Sequence, residues 1–147
     1  MGRLDAQNEW SWWNPDMKKG QALAAVVVIH LAISIVHGSA HTGAEVPLAL
    51  AGTLFVYIVI LAGPLLGLGV WRWRPQAGAW LVAVSMSGAL VFGVVNHFMI
   101  DGPDHVVNIA SQWRTLFGVT AALLVISEAA GAAVGVWVAT RAAGKAS

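Results

Sequence analysis

Four long apolar stretches account for most of this 147-residue chain. They cover residues 20–41, 46–71, 77–100 and 114–139, and each reaches the ~20 residues that cross a hydrocarbon core of about 30 Å. Backbone N–H and C=O groups find no water inside a bilayer, so such spans fold as α-helices. Only 10% of the residues are charged, against roughly one-quarter in soluble domains. The sequence therefore predicts an all-α, multi-pass protein of the cell membrane, with the lipid bilayer as its first partner.

Short links join the four predicted spans, and short links place consecutive helices antiparallel. The prediction is an integral membrane four-helix up-down bundle over residues 20–141, preceded by segment 1–19 and followed by a short tail, 142–147. Gly63-Pro64 predicts a kink inside the second helix, and Gly102-Pro103 predicts the end of the third. Small residues at 131 and 135 predict a close helix contact, either internal or with another subunit of a homo- or hetero-oligomer.

The basic residues predict how the bundle is oriented. Seven of the eight lie on one side of a four-span chain, Arg114 being the exception, and the positive-inside rule makes that side cytoplasmic. Both termini are then cytoplasmic. The three tryptophans of segment 1–19 predict a piece that lies on the inner membrane interface, or an arm that docks a partner. Residues 38–40 also fit a signal-peptide cleavage site, and cleavage there would leave three spans.

Ionisable side chains follow one face of the first predicted helix. At 100° per residue, five polar positions fall within an arc of about 80°; they are His30, Ser34, His37, His41 and Glu45. Such groups are costly inside a span and mark ligands, relays or pathways. Counting along the helices places His37, His41 and His97 of the third helix at similar depths, about 10–16 Å outward of the midplane. Three histidines from two helices can bind an ion and leave an open position.

Further ligand candidates follow His97 in the stretch NHFMIDGPDHV. The predicted metal ligands are His37, His41, His97, Asp101 and His105, with Glu45 as a further carboxylate that can bind the ion or orient an imidazole. Imidazole with carboxylate suits copper, zinc or iron. The chain has no cysteine, so thiolate and iron–sulfur sites are excluded. Haem held by two axial histidines is an alternative, and so is a set of interfacial histidines without metal.

A second polar group is expected near the middle of the bundle, where His30, Tyr57 and Glu128 each lie close to the centre of their own helix. A charged glutamate at this depth is expensive, so Glu128 should be protonated or paired, with His30 as its partner. The three residues form either a proton relay or a buried polar layer that sets helix register.

These observations predict an integral membrane protein with a histidine and carboxylate metal site near the extracytoplasmic face, which binds, delivers or uses the metal in redox chemistry. Three alternatives stay open: a metal-free accessory subunit of a larger membrane complex, a bis-histidine haem electron-transfer protein, and a proton or ion conduit. Nucleic acid is excluded as a partner because lysine and arginine do not cluster on one face.

Overall fold

The computed structural model describes residues 15–143, and over that range it contains helices and no strand. Four long helices follow one another along the chain: α1 Pro15–Gly43, α2 Leu50–Trp71, α3 Pro75–Met99 and α4 Ser111–Ala143. A short 3-10 turn, Val106–Asn108, lies in the loop between α3 and α4. Each of the four is long and apolar enough to cross a membrane.

The helix ends agree with the predicted spans to within a few residues. Most of the predicted interfacial segment, including its three tryptophans, lies outside the described residues, as does most of the predicted tail. The rest of segment 1–19 belongs to the first turns of α1, which begins at Pro15, a helix position where proline's missing N–H costs nothing. As predicted, α2 continues through Gly63-Pro64, and α3 ends at Met99, just before Gly102-Pro103.

Two π-helical segments, in which each backbone bond spans five residues, interrupt the α-helical pattern. One is Val56–Ala62 in α2, directly before Gly63-Pro64, and the other is Val95–Met99 at the end of α3. Pro64 has no N–H to offer the carbonyl four residues before it, that of Ile60. His30 Nε2 donates to this carbonyl at 3.2 Å, and the bond joins α1 to α2.

The glycine pair of α4 packs against α3. A Cβ added to Gly135 would lie 2.8 Å from the backbone nitrogen of Ala83, and one added to Gly131 would lie 3.0 Å from Met86 Cγ. The close contact predicted for this pair is therefore internal, and it brings α3 and α4 together along the half of the bundle that holds the larger core cluster.

Two apolar clusters form the core, one toward each end of the bundle. The larger joins α1, α3 and α4 through Leu23, Val82, Met86 and neighbouring side chains. The smaller consists of Ala40, Ile109 and Phe117, and it holds the α3–α4 loop against α1 and α4. The histidine cluster described below packs against Phe117 of the smaller cluster, and His30 and Glu128 lie between the two clusters along α1 and α4.

Gly135→Ala should destabilise the protein by about 1–3 kcal/mol, because a Cβ so close to backbone cannot be accommodated by rotating a side chain. Gly69→Ala is the matched control, since a Cβ there meets no described atom within 4 Å. Thermal unfolding of both variants in detergent measures the difference. Equal melting temperatures for the two variants would contradict this packing.

Candidate metal centre

Three buried or nearly buried histidines meet where α1 and α3 end. His37 and His41 lie one turn apart on α1, and His97 lies in the π-helical end of α3. One nitrogen from each ring can be chosen so that all three lie within 4.8 Å of one another. The Nε2 atoms of His37 and His97 are 3.2 Å apart. The structure thus confirms that these three predicted ligands come together.

A threonine on α4 orients the first of the three rings. His37 Nδ1 lies 2.8 Å from Thr120 Oγ1, and that hydroxyl donates to the carbonyl of Leu116 at 2.7 Å. A hydroxyl has one hydrogen, so toward the ring Thr120 accepts and His37 Nδ1 carries the proton. His37 Nε2 then carries a free lone pair.

Asp104, in the loop after α3, orients the other two rings. Its Oδ1 lies within ion-pair distance of both rings, 3.2 Å from His41 Nε2 and 3.3 Å from His97 Nδ1, but neither carboxylate oxygen forms a hydrogen bond within residues 15–143. Its carbonyl oxygen accepts from His97 Nδ1 at 3.2 Å. The carbonyl puts the proton of His97 on Nδ1, and the nearby carboxylate favours a proton on His41 Nε2. The remaining nitrogens are lone pairs, and His41 Nδ1 is buried with no hydrogen-bond partner among residues 15–143. A ring nitrogen that donates to a carboxylate while the other faces an ion is the usual support of metal-binding histidines.

With these tautomers the lone pairs of His37 and His97 face each other at 3.2 Å, a repulsive arrangement that a metal ion or a proton between them relieves. Two nitrogens bound at ~2.0–2.1 Å around a tetrahedral ion lie roughly 3.3–3.4 Å apart, which is close to the distance observed. Phe117 covers the cluster, with its ring centroid 4.7–5.2 Å from those of the three histidines. The arrangement can hold one ion with three imidazoles and an apolar cover.

The structure does not bring the other predicted ligands to this cluster. Asp101 is exposed and accepts from Asn108 Nδ2 at 2.8 Å, and His105 Nδ1 accepts from the N–H of Val107. Glu45 is also exposed, and lies past the end of α1 with a φ of 55°. Asp101 and His105 thus shape the α3–α4 loop.

Asp104, and not Asp101, is the carboxylate that lies beside the histidines. The sequence had predicted Asp101 for this role. The buried side chain of Ile109 draws the loop back over Ala40 and Phe117, and this folds Asp104 onto the histidines. Asp104 is 8% exposed. One feature of the sequence could have indicated Asp104 as the carboxylate beside the histidines. It follows Gly102-Pro103, which ends the helix, and a loop beyond such an end can fold back onto the last turn.

A second polar pair lies deeper in the bundle. His30 and Glu128 are 0% and 2% exposed, and His30 Nδ1 lies 3.8 Å from Glu128 Oε1. Neither His30 Nδ1 nor Glu128 Oε2 has a hydrogen-bond partner within the described part of the chain. Tyr57, expected in the same layer, is instead 63% exposed. The buried layer therefore consists of the histidine and the glutamate.

One cavity of about 330 Å³ connects the two polar groups. The three clustered histidines, Asp104 and Glu128 all line it. A Cβ placed on Gly93 would lie 3.7 Å from Glu128 Oε2 and 3.9 Å from His97 Cδ2. The absence of a side chain at Gly93 therefore leaves open space between the glutamate and the histidine cluster.

No protein-family model matches the chain, and neither the curated proteins nor the solved structures contain a match. The function is therefore inferred from the geometry of the site.

Glu128→Leu should leave the protein at least as stable as the wild type. A buried carboxyl with a partnerless oxygen is costly, and apolar replacements of buried ionisable groups are often neutral or stabilising. Leu23→Ala, which empties part of the apolar core, is the control and should cost about 2–5 kcal/mol. Thermal unfolding in detergent compares them. A loss for Glu128→Leu as large as that for Leu23→Ala would make the glutamate a structural hydrogen bonder.

Proposed function

We propose that this protein is an integral membrane four-helix up-down bundle that binds one transition-metal ion near its extracytoplasmic face. The ligands are His37, His41 and His97, and Asp104 and Thr120 hold the rings. The observation that carries the proposal is the grouping of one nitrogen from each of the three rings within 4.8 Å, beside the Thr120 hydroxyl and the Asp104 carboxylate. Copper, zinc and iron all suit such a ligand set.

The geometry favours a bare ion over haem. A macrocycle between two axial imidazoles needs free space on every side of the iron, but the ring centroid of His41 lies 4.8 Å from that of His37, and Phe117 lies 4.7 Å from His37 on another side. Three protein ligands leave a fourth position for a water or another molecule. An open position supports redox chemistry, ligand activation or metal delivery.

Wild-type protein should bind one equivalent of metal, and alanine at His37, His41 or His97 should each abolish stoichiometric binding, because two imidazoles remain. His105→Ala is the matched control, since this histidine lies outside the cluster and should leave one equivalent bound. Metal per protein, measured by mass spectrometry after reconstitution with Zn²⁺, Cu²⁺ or Fe²⁺ in detergent, is the readout. A wild-type protein that takes up none of these ions would overturn the proposal.

The carboxylate that orients the rings can be tested by the same measurement. Asp104→Ala should weaken affinity about 10- to 100-fold, as removal of an orienting partner does at other metal sites, while stoichiometry at saturating metal is retained. Asp101→Ala, three residues away and exposed, should change affinity little. The reverse order of effects would mean that Asp101 supports the metal and that Asp104 has another role.

The proposed topology places both termini in the cytoplasm, supported by the one-sided distribution of basic residues. The chain has no cysteine, so single cysteines introduced at Gly2 and at Val107, which is 62% exposed in the α3–α4 loop, report sidedness directly. An impermeant maleimide should label position 107 in intact cells and position 2 only after permeabilisation. Labelling of position 2 in intact cells would mean that the orientation is the reverse of the proposed one.

The buried pair of His30 and Glu128, together with the cavity, supports a second candidate function, a proton or ion conduit. Such a conduit needs no metal at the histidine cluster. A wild-type protein that binds no metal but carries protons into liposomes would favour it, whereas one that does neither would favour an accessory subunit of a larger membrane complex.

A further inference from the structure

We infer that the cavity between the histidine cluster and Glu128 binds a small, neutral, lipid-soluble molecule. This molecule enters from the membrane between α1 and α2 and coordinates the metal through an oxygen or nitrogen atom. The inference rests on the proposed metal centre and adds the class of molecule that reaches it.

The cavity has its mouth between α1 and the N-terminal half of α2. Gly38 and Thr42 of α1 and Tyr57 of α2 line the cavity and are also exposed, so they mark its rim. Within the described chain, α1 meets α2 chiefly through Gly63–Trp71, beyond the cavity. A Cβ on Gly38 would have no described atom within 4 Å, so nothing built from residues 15–143 covers the rim at that point.

The depth of the mouth indicates what can pass through it. Gly38 and Tyr57 belong to helices that are long and apolar enough to span a membrane, so the opening faces the bilayer rather than bulk water. Charged molecules pay several kcal/mol to reach such a depth. A neutral molecule that already dissolves in the bilayer has no such barrier.

The lining indicates the chemistry of the ligand. Apolar walls suit the apolar body of a ligand, and they are provided by Leu48, Val56, Ile60, Phe92 and Leu124. The ionisable groups lie at the two ends, the histidine cluster at one and Glu128 at the other, where Oε2 is buried without a partner in the described chain. Apolar walls with a few placed polar groups are typical of small-molecule sites.

The dimensions suit a molecule that reaches both ends. A volume of about 330 Å³ lies at the lower end of the roughly 300–1,000 Å³ of ligand pockets. Glu128 Oε2 and the His97 ring both lie within 4 Å of the Cβ position of Gly93. One small molecule can therefore bind the open metal position and also contact the glutamate.

Two probes separate metal ligation from cavity binding. Imidazole carries a metal-binding nitrogen alone, and 4-phenylimidazole adds an apolar ring to the same group. Protein in lipid nanodiscs is loaded with Co²⁺, whose visible absorption changes when a fourth ligand binds, and each probe is titrated into it. We expect both probes to change the Co²⁺ spectrum.

Gly38→Leu places a side chain at the mouth of the cavity and should weaken 4-phenylimidazole binding about 10-fold or more, by excluding the buried ring. Imidazole binding and Co²⁺ stoichiometry should stay unchanged. Gly69→Leu is the matched control, since Gly69 also has open space around it but does not line the cavity, and it should alter neither probe. Thr53→Phe, which fills the cavity from α2, should repeat the effect of Gly38→Leu if that variant does not fold.

Each contrary result has one meaning. If Co²⁺ binds but 4-phenylimidazole leaves its spectrum unchanged, or binds equally well to the variants with a filled cavity, the cavity is not a ligand site. The metal proposal then stands and this inference is overturned. If wild-type protein binds no Co²⁺, the metal proposal itself fails, and this inference fails with it.

Discussion

The arrangement of this protein depends on one constraint, that polar atoms enclosed by apolar helices need partners inside the protein. Three histidines of the bundle meet the constraint through one hydrogen-bonded ring nitrogen: His30 on the carbonyl of Ile60, His37 on Thr120, and His97 on the carbonyl of Asp104. His41 lies at ion-pair distance from the Asp104 carboxylate. The bonds fix the tautomers of these three rings. Nitrogens of His37, His41 and His97 lie within 4.8 Å of one another, which makes that place suited to a cation, whereas the free nitrogen of His30 faces Glu128.

The irregular parts of the backbone serve the same arrangement. Pro64 removes a donor from α2 and thereby leaves a carbonyl for His30, and the π-helical end of α3 carries His97. The α3–α4 loop is held down by Ile109, which keeps Asp104 over the rings. Departures from regular α-helix in this chain lie beside the polar groups, as π-helical segments at functional sites often do.

The proposed metal centre, the cavity and Glu128 form one connected space with an apolar middle. Phe117 covers the histidines on one side while the cavity opens between α1 and α2 on another, so a molecule can reach the fourth metal position from only some directions. Glu128 has little structural reason to be where it is, since its Oε2 is buried without a partner in residues 15–143. A buried carboxyl with a partnerless oxygen is costly, and this supports the inferred contact between Glu128 and a molecule in the cavity.

The sequence by itself determined the four helices and the meeting of three histidines. Apolar length sets the spans, the 3.6-residue period puts His37 and His41 on one face, and counting from the midplane brings His97 level with them. The sequence could not show which carboxylate lies beside the histidines. Asp101 and Asp104 are both in a loop, where no helical period fixes the direction of a side chain. Only the tertiary fold, through the burial of Ile109, selected Asp104. Tyr57 was misplaced for a related reason: depth along a helix says nothing about which face turns inward, and in α2 a π-helical segment alters that face. The acceptors on Thr120 and Ile60, and the cavity itself, arise from contacts between distant parts of the chain, which only the packed helices decide.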